Sequence, residues 1–431
     1  MTEPRVPRGN SDTPVWRSPH TLAVLVAALG YFVDVYDLIL FNVVRWDSLA
    51  DLGLSPERAT ATGIWLLDLQ LIGMVLGGIA WGVLGDLRGR ASVLFGSIVL
   101  YSTANLLNAG VGAHSGPLAF MGHFDAITAY AVLRFVAGIG LAGELGAGVT
   151  LVAELSSRHG RGLAIALIGA VGVVGAVVAG VVGELAGWRM AYLIGGVMGL
   201  ALLGLRFGVL ESGMFHSLEK ASPLQSRGLL PLLRTPRLLC RGLLVVVAGS
   251  PIWFTLAVPV ALAPRIAHDL GMNPPPRPGV LVALYYSGAV FGDLASGLLS
   301  QRMRSRRKAM AIFMAGTAIG TVLMLTVGAQ SAWWYGAMSI ITGFCSAYWI
   351  ITITMASELF GTNVRATITT TVPNLIRVSA VPVTAVFMLL TDHVSAVSAT
   401  VLTGACCFAA AGAALWALPE PFGRDLDFQE P

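Results

Sequence analysis

The sequence predicts an all-α membrane protein with twelve transmembrane helices in two pseudo-symmetric six-helix bundles, and three observations carry that expectation. Of 431 residues, 55% are hydrophobic and only 12% are charged, about half the roughly 25% charged share of a soluble domain. The apolar residues run in blocks of the length that crosses a hydrocarbon core as a helix, about 20 residues. These blocks divide into two sets of six around one long polar connection. A soluble chain of this length needs two or three domains with polar exteriors, and the residues to build them are missing.

In chain order, residues 1–19 are a polar, Pro-rich tail without the short apolar run of a cleavable leader. The first bundle covers 20–210, with spans near 20–43, 60–84, 91–110, 125–156, 162–184 and 188–210. A linker, 211–237, carries Lys220, Arg227 and Arg234. The second bundle covers 238–418, with spans near 238–264, 278–300, 309–329, 332–357, 365–391 and 394–418, and 419–431 form a closing tail. Trp333, Trp334 and Tyr335 open the tenth span as interfacial belt residues.

Positive charge sets the orientation. Of the 27 Lys and Arg residues, Arg134 and Arg377 fall within spans. Only Arg45, Arg58, Arg189, Arg265 and Arg277 fall in segments expected outside. The remainder flank the opposite side, so both termini and the linker are expected in the cytoplasm. The absence of an Asn-x-Ser/Thr sequon favours a bacterial inner membrane. Basic residues gathered at helix ends give no nucleic-acid signal. Cys240, Cys345, Cys406 and Cys407 show neither metal spacing nor a disulfide framework and read as small packing residues. No metal, no cofactor and a monomeric state are expected. Enzyme motifs such as Gly-x-Ser-x-Gly and His-Glu-x-x-His do not occur.

Two loops one bundle apart repeat a spacing: Glu154 precedes Arg161 by seven residues, and Glu358 precedes Arg365 by seven. Duplicated halves are common in transporters. Gly85-Asp86-Leu-Arg88-Gly89-Arg90 lies between spans two and three. Span four carries Arg134-Phe-Val-Ala-Gly138-Ile-Gly140-Leu-Ala-Gly143-Glu144-Leu-Gly146. With Glu154, Arg161, Glu358, Arg365, Asn374 and Arg377, these motifs resemble the major facilitator superfamily. The resemblance narrows toward its metabolite:proton and sialate:proton symporters. Asp34-Val-Tyr-Asp37 in span one is similar to the paired aspartates of aromatic-acid:proton symporters. The resemblance implies a secondary active transporter that works by alternating access and draws on a proton gradient. Its partners would be protons, a small-molecule substrate and the lipid bilayer. The Gly-Pro pattern of antiporter span five is absent, which leans toward symport.

Charges inside the spans point to the site, because a charge at bilayer depth costs about 3 kcal/mol or more and needs a partner or a wet cavity. Asp34, Asp68 and Arg134 each lie about eight or nine residues from the outer ends of their spans. At 1.5 Å per residue they share a level about 12–14 Å deep. The reading pairs Asp34, the expected proton carrier, with Arg134. Asp37 stands one turn nearer the outside, and Asp68 serves either as a neighbouring carboxylate or as a helix-packing group. Glu144, deeper on span four, is either an inward proton stage or a helix-to-helix hydrogen bond. Arg377 with Asn374 is the expected anchor for a substrate carboxylate, with a bridge to Asp293 as the alternative. Tyr36, Trp253, Tyr285, Tyr286 and Trp349 are candidate pocket walls. Asp86, Arg90, Glu154, Arg161, Asp293, Glu358 and Arg365 are expected to gate the bundles.

The leading expectation is proton-coupled symport of a small organic acid or related metabolite. Proton-driven efflux of amphiphiles, or uptake of a zwitterionic or cationic solute, are the alternatives.

Overall fold

The computed structural model describes residues 19–88, 90–113, 115–144, 161–211 and 235–423. Eleven helices among them are long and apolar enough to cross a membrane, and the shorter apolar Ala126–Leu141 brings the number of spans to twelve. In the first half these are α1 (Pro19–Asp51), α2 (Pro56–Arg88), α3 (Arg90–Ala109), α4 (Ala126–Leu141), α5 (Arg161–Ala186) and α6 (Trp188–Glu211). The second half holds α7 (Pro236–Thr255), α8 (Pro278–Met303), α9 (Arg306–Thr326), α10a (Ala332–Ser346) and α10b (Trp349–Leu359). It continues with α11a (Thr362–Val378), α11b (Ala380–Thr391) and α12 (Ala396–Ala417).

Local chemistry explains many of the helix ends. Asp125, Ser305, Ser331 and Ser395 cap α4, α9, α10a and α12 by accepting a backbone N–H from the first turn. Proline opens α7 and α8, where its missing N–H leaves nothing unpaired. Three spans of the second half are irregular. α7 passes into a π turn, Leu256–Val260, that contains Pro259. Span ten breaks at Ala347, whose ψ of 48° is non-helical. Span eleven breaks at Ser379, three residues before Pro382, whose ring clashes with the carbonyl four residues earlier.

The two halves repeat one packing scheme. In the first, α1 lies on α5, α2 on α4, and α3 on α4 and α6; in the second, α7 lies on α11a, α8 on α10a, and α9 on α10a and α12. The halves meet along two seams, α2 against α11a and α5 against α8. Within the first half, α2 and α4 are in backbone contact. A Cβ on Gly77 would stand 2.7 Å from the Cα of Ile139, and one on Gly138 would strike the Gln70 carbonyl. Such close approach supplies van der Waals contact where lipid offers no hydrophobic drive. The outer surface is apolar, with Leu185, Phe291, Leu389 and Trp416 exposed, as lipid-facing side chains are. Trp333 and Trp334 are also exposed, in keeping with a belt at the membrane edge.

Candidate functional site

The two halves are joined at their centre by a buried ion pair. Arg377 on α11a donates from Nη2 to Asp34 Oδ2 on α1 at 3.3 Å, and neither side chain is more than 2% exposed. From Nη1 the same guanidinium donates to Asn374 Oδ1 at 3.1 Å, one helical turn away. Its Cζ lies 5.7 Å from the centre of the Trp349 ring. Trp349, the first residue of α10b, donates its indole N–H to the Tyr31 hydroxyl on α1 at 2.8 Å. Asn374 reaches the first half as well, donating from Nδ2 to Ala142 O at 3.3 Å and to Thr370 O at 2.8 Å. Two residues of the first half, Tyr31 and Asp34, and three of the second therefore form one polar knot. The Asp34 Oδ1 atom has no hydrogen-bond partner among the described residues.

This arrangement corrects the expected pairing of Asp34 with Arg134. Arg134 turns instead toward α3 and α6. Its Nη2 donates to Asn105 Oδ1 at 2.7 Å, and its Cζ lies 4.7 Å from the centre of the Tyr192 ring. Residue spacing gives the depth of a group along a helix but not the direction it faces, so equal depth did not bring these two together. Arg134 acts by charge on Asp37 and Asn105 stands beside it, although neither carboxylate oxygen makes a hydrogen bond of ordinary geometry among the described residues. The alternative of an Arg377–Asp293 bridge is not formed either.

Glu144 is taken up by a buried pair with Arg206 on α6. Arg206 Nη1 donates to Oε2 at 3.1 Å, and Nη2 bonds Oε1. Asp68 stands in the wall of a cleft that also includes Ile39, Asn42, Arg45, Trp253 and Val381. Ile39, Asn42 and Arg45 occupy successive turns of α1, so the cleft begins about one turn from Asp34 and runs toward the α1–α2 turn. On the other side of the pair the halves are closed. There Gly78 of α2 lies beside Asn374 and Thr370 O, and Gly82 lies beside Thr367.

Of the expected pocket walls, Trp253 lines the cleft and Trp349 touches Arg377. Tyr36 does not face the cleft. It is buried in the first half and donates to Ala191 O at 2.8 Å. Tyr285 is also interior, 3.1 Å from Thr255 Oγ1, with Tyr286 packed edge-on at 5.5 Å.

The expected gating residues separate in the same way. Glu154 and the side chains of Asp86, Arg90 and Arg161 lie outside the described residues. Glu358 pairs with Arg306 of α9, at 3.1 Å from Nε and 3.0 Å from Nη2. Arg365 donates to the carbonyls of Ser357 and Phe360 at 2.9 and 3.1 Å, stitching α11a to the end of α10b. Asp293 lies within α8, 1% exposed, on the side that faces α5 of the first half. Because Arg306 is buried beside Glu358, Glu358→Ala is expected to destabilise the chain by about 3–5 kcal/mol, with Glu358→Gln much milder. Unfolding in mixed micelles checks this.

Sequence reasoning missed Tyr31, Asn105, Arg206 and Arg306. Tyr31 stands three residues before Asp34 and therefore on the same helix face. Asn105 is a polar residue inside an apolar span, which is itself a signal. Arg206 and Arg306 were counted with the helix-end charges that set orientation, yet both are buried.

The fold matches what comparison with known proteins shows. The family model described as Major Facilitator Superfamily matches residues 27–273. A Haemophilus influenzae protein named for metabolite transport is 29% identical over 321 residues, which is 70% of this chain and 72% of that protein. The niacin transporter NiaP of Acinetobacter baylyi is 31% identical over 190 residues, 43% of this chain and 39% of that one. The structure of the proton:xylose symporter XylE superposes with a TM-score of 0.68 at 18% identity, covering 95% of this chain and 98% of that one. The chain is thus a multi-pass membrane transporter and not an enzyme, and it belongs to the Major Facilitator Superfamily.

Proposed function

We propose that this chain is a proton-coupled symporter of a small organic acid, with Asp34 as proton carrier and Arg377 as the group that Asp34 and the substrate carboxylate share in turn. The buried Asp34–Arg377 pair between the halves carries the reading. A guanidinium held by one carboxylate offers little to a second. Protonating Asp34 removes its charge and releases Nη2, which with the unpartnered Nε then offers two parallel donors to a substrate anion. Proton and anion then enter together, and the knot stays close to electrically neutral throughout. A charge left alone at that depth would cost several kcal/mol, which opposes movement of either partner by itself.

Charge distribution supports placing the α2–α3 side in the cytoplasm. In that orientation the described state is closed inside, with its cleft directed outward, and the substrate approaches along Asn42 and Trp253. Asp37, with Arg134 near it, supports a second carboxylate stage on the same helix. The knot ties α1 to α10b and α11a, so breaking the pair removes one direct link between the halves, which is what rocking of two bundles requires.

The test is uptake into proteoliposomes under an imposed pH gradient, acid outside. Radiolabelled nicotinate and 3-phenylpropionate serve as the anions. Concentrative uptake that collapses with a protonophore is the expected result; uptake indifferent to the gradient overturns the coupling. One observation favours a second reading: Arg45 and Asp68 share the cleft wall, an arrangement that also suits a zwitterion. Glycine betaine accumulating where both acids fail would select it.

A further inference from the structure

We propose that Asp293 is a second proton-carrying site, set in the other seam between the halves. This rests on the symport reading and extends it to a residue outside the Asp34–Arg377 knot.

Asp293 lies on α8 with 1% of its surface exposed, and its Oδ1 atom has no hydrogen-bond partner among the described residues. Its other side faces α5: a Cβ placed on Gly169 would stand 3.7 Å from Oδ2. The nearby backbone N–H of Ile350 belongs to the first turn of α10b, just past the break in span ten. Two independent observations therefore meet at one place, a buried carboxyl with an unused oxygen and the buried N-terminal turn of an eleven-residue helix.

Among the described residues, the surroundings supply no counter-charge. Near Asp293, α5, α9, α10a and α10b bring no Asp, Glu, Lys, Arg or His. The charged ends of α9 and α10b are joined to each other as Arg306–Glu358. The ionisable groups within its electrostatic reach are three phenols, Tyr31 of α1 and Tyr285 and Tyr286 of its own helix. Arg377 and Asp34 are bonded to one another. A carboxylate buried in this way, without a cation, is far costlier than a neutral acid. A helix N-terminus offsets only part of that, typically 0.3–1 kcal/mol and up to about 2. Asp293 accordingly holds a proton in this conformation. A metal cation would need several oxygen ligands, and no cluster of three Asp, Glu, His or Cys side chains occurs among the described residues.

Position gives the proton a consequence. Trp349, in the same first turn of α10b, carries the indole that touches both Tyr31 and Arg377. Loss of the Asp293 proton, once the α5–α8 seam admits water, creates a charge attracted to the α10b N-terminus. It thereby shifts the turn that holds Trp349. The two seams then report to each other through one tryptophan.

The experiment uses the full chain reconstituted in lipid and needs no transported solute. Protons released on alkalinisation are counted with a pH dye, while infrared spectroscopy follows the C=O band of neutral carboxyls. Asp293→Asn is expected to release one proton fewer per chain and to lose one neutral-carboxyl band. Asp293→Glu should retain both features, shifted. Asp34→Asn should leave the Asp293 band in place. An unchanged proton count and spectrum in a folded Asp293→Asn protein overturns the proposal. If that variant does not fold, a wild-type spectrum in which Asp293→Glu moves no band overturns it equally. Because neither readout depends on uptake, failure of the symport reading appears separately, as gradient-indifferent transport with these spectra intact.

Discussion

Arg377→Lys is expected to lower carboxylate uptake by at least about 30-fold while leaving the chain folded and in the membrane. Arg377 serves Asp34 through one nitrogen and Asn374 through another. The planar guanidinium makes both bonds at once; an ammonium is a point charge that cannot reproduce that fork. Losing a buried, hydrogen-bonded charge contact costs roughly 2–5 kcal/mol, and each 1.4 kcal/mol is about tenfold in affinity. Lysine keeps the positive charge, so Asp34 is not left as a lone anion and the fold survives. Arg377→Ala removes that protection and should reduce both uptake and yield. Initial rates in proteoliposomes, normalised to reconstituted protein, measure the effect. Uptake within about threefold of wild type would show that the fork is not where the substrate is held.

Gly77→Val is expected to prevent assembly of the first half. A Cβ at that position meets backbone, the Cα of Ile139 at 2.7 Å, and backbone in a packed helix pair cannot swing aside as a side chain can. Overpacking typically costs 1–3 kcal/mol and occasionally more. The upper end applies here, because Gly138 makes the reciprocal contact with the Gln70 carbonyl, about two turns along α2 from Gly77, and the two helices must separate together. Size-exclusion profiles in mild detergent read the outcome, with an aggregated or poorly expressed chain as the expectation. Gly204→Val, on α6 where a Cβ meets nothing within 4 Å, should behave as wild type. A well-folded Gly77→Val protein would contradict the packing described.

Much of the fold was legible because membrane insertion is governed by length and hydropathy, and both are plain in the chain. Helix existence follows from apolar blocks that have no alternative solvent. The repeated Glu-to-Arg spacing marked the duplication, and the two halves do pack alike. The breaks in spans seven, ten and eleven were not expected. Pro259 and Pro382 were visible signals for two of them, whereas Ala347 carries none.

The site was legible in its parts and misread in its pairing. Asp34, Arg377 and Asn374 were singled out because polar groups at mid-depth need a reason to be there, and Trp349 as an aromatic pocket wall. Arg377 and Asn374 were expected together, but their meeting with Asp34 and Trp349 was not, because it depends on how helices more than 300 residues apart in the chain face each other across the two halves. The |i−j| of the Asp34–Arg377 bond is 343, and no local pattern encodes a contact of that range. Arg134 was assigned to Asp34 from depth alone, and the missing quantity was rotation about the helix axis. Tyr36 was misplaced for the same reason, since it sits two residues from Asp34 and therefore points elsewhere.

Asp34→Asn tests the central claim most directly. It keeps the shape of the carboxyl and removes its ability to gain or lose a proton. Two assays on the same proteoliposomes suffice, pH-driven accumulation and counterflow of labelled against unlabelled anion, with nicotinate as the first probe and 3-phenylpropionate as the second. Accumulation should fall to the level of protein-free vesicles while counterflow persists, because the neutral amide leaves Arg377 free for the anion but cannot carry a proton. Full pH-driven accumulation by Asp34→Asn would contradict the account.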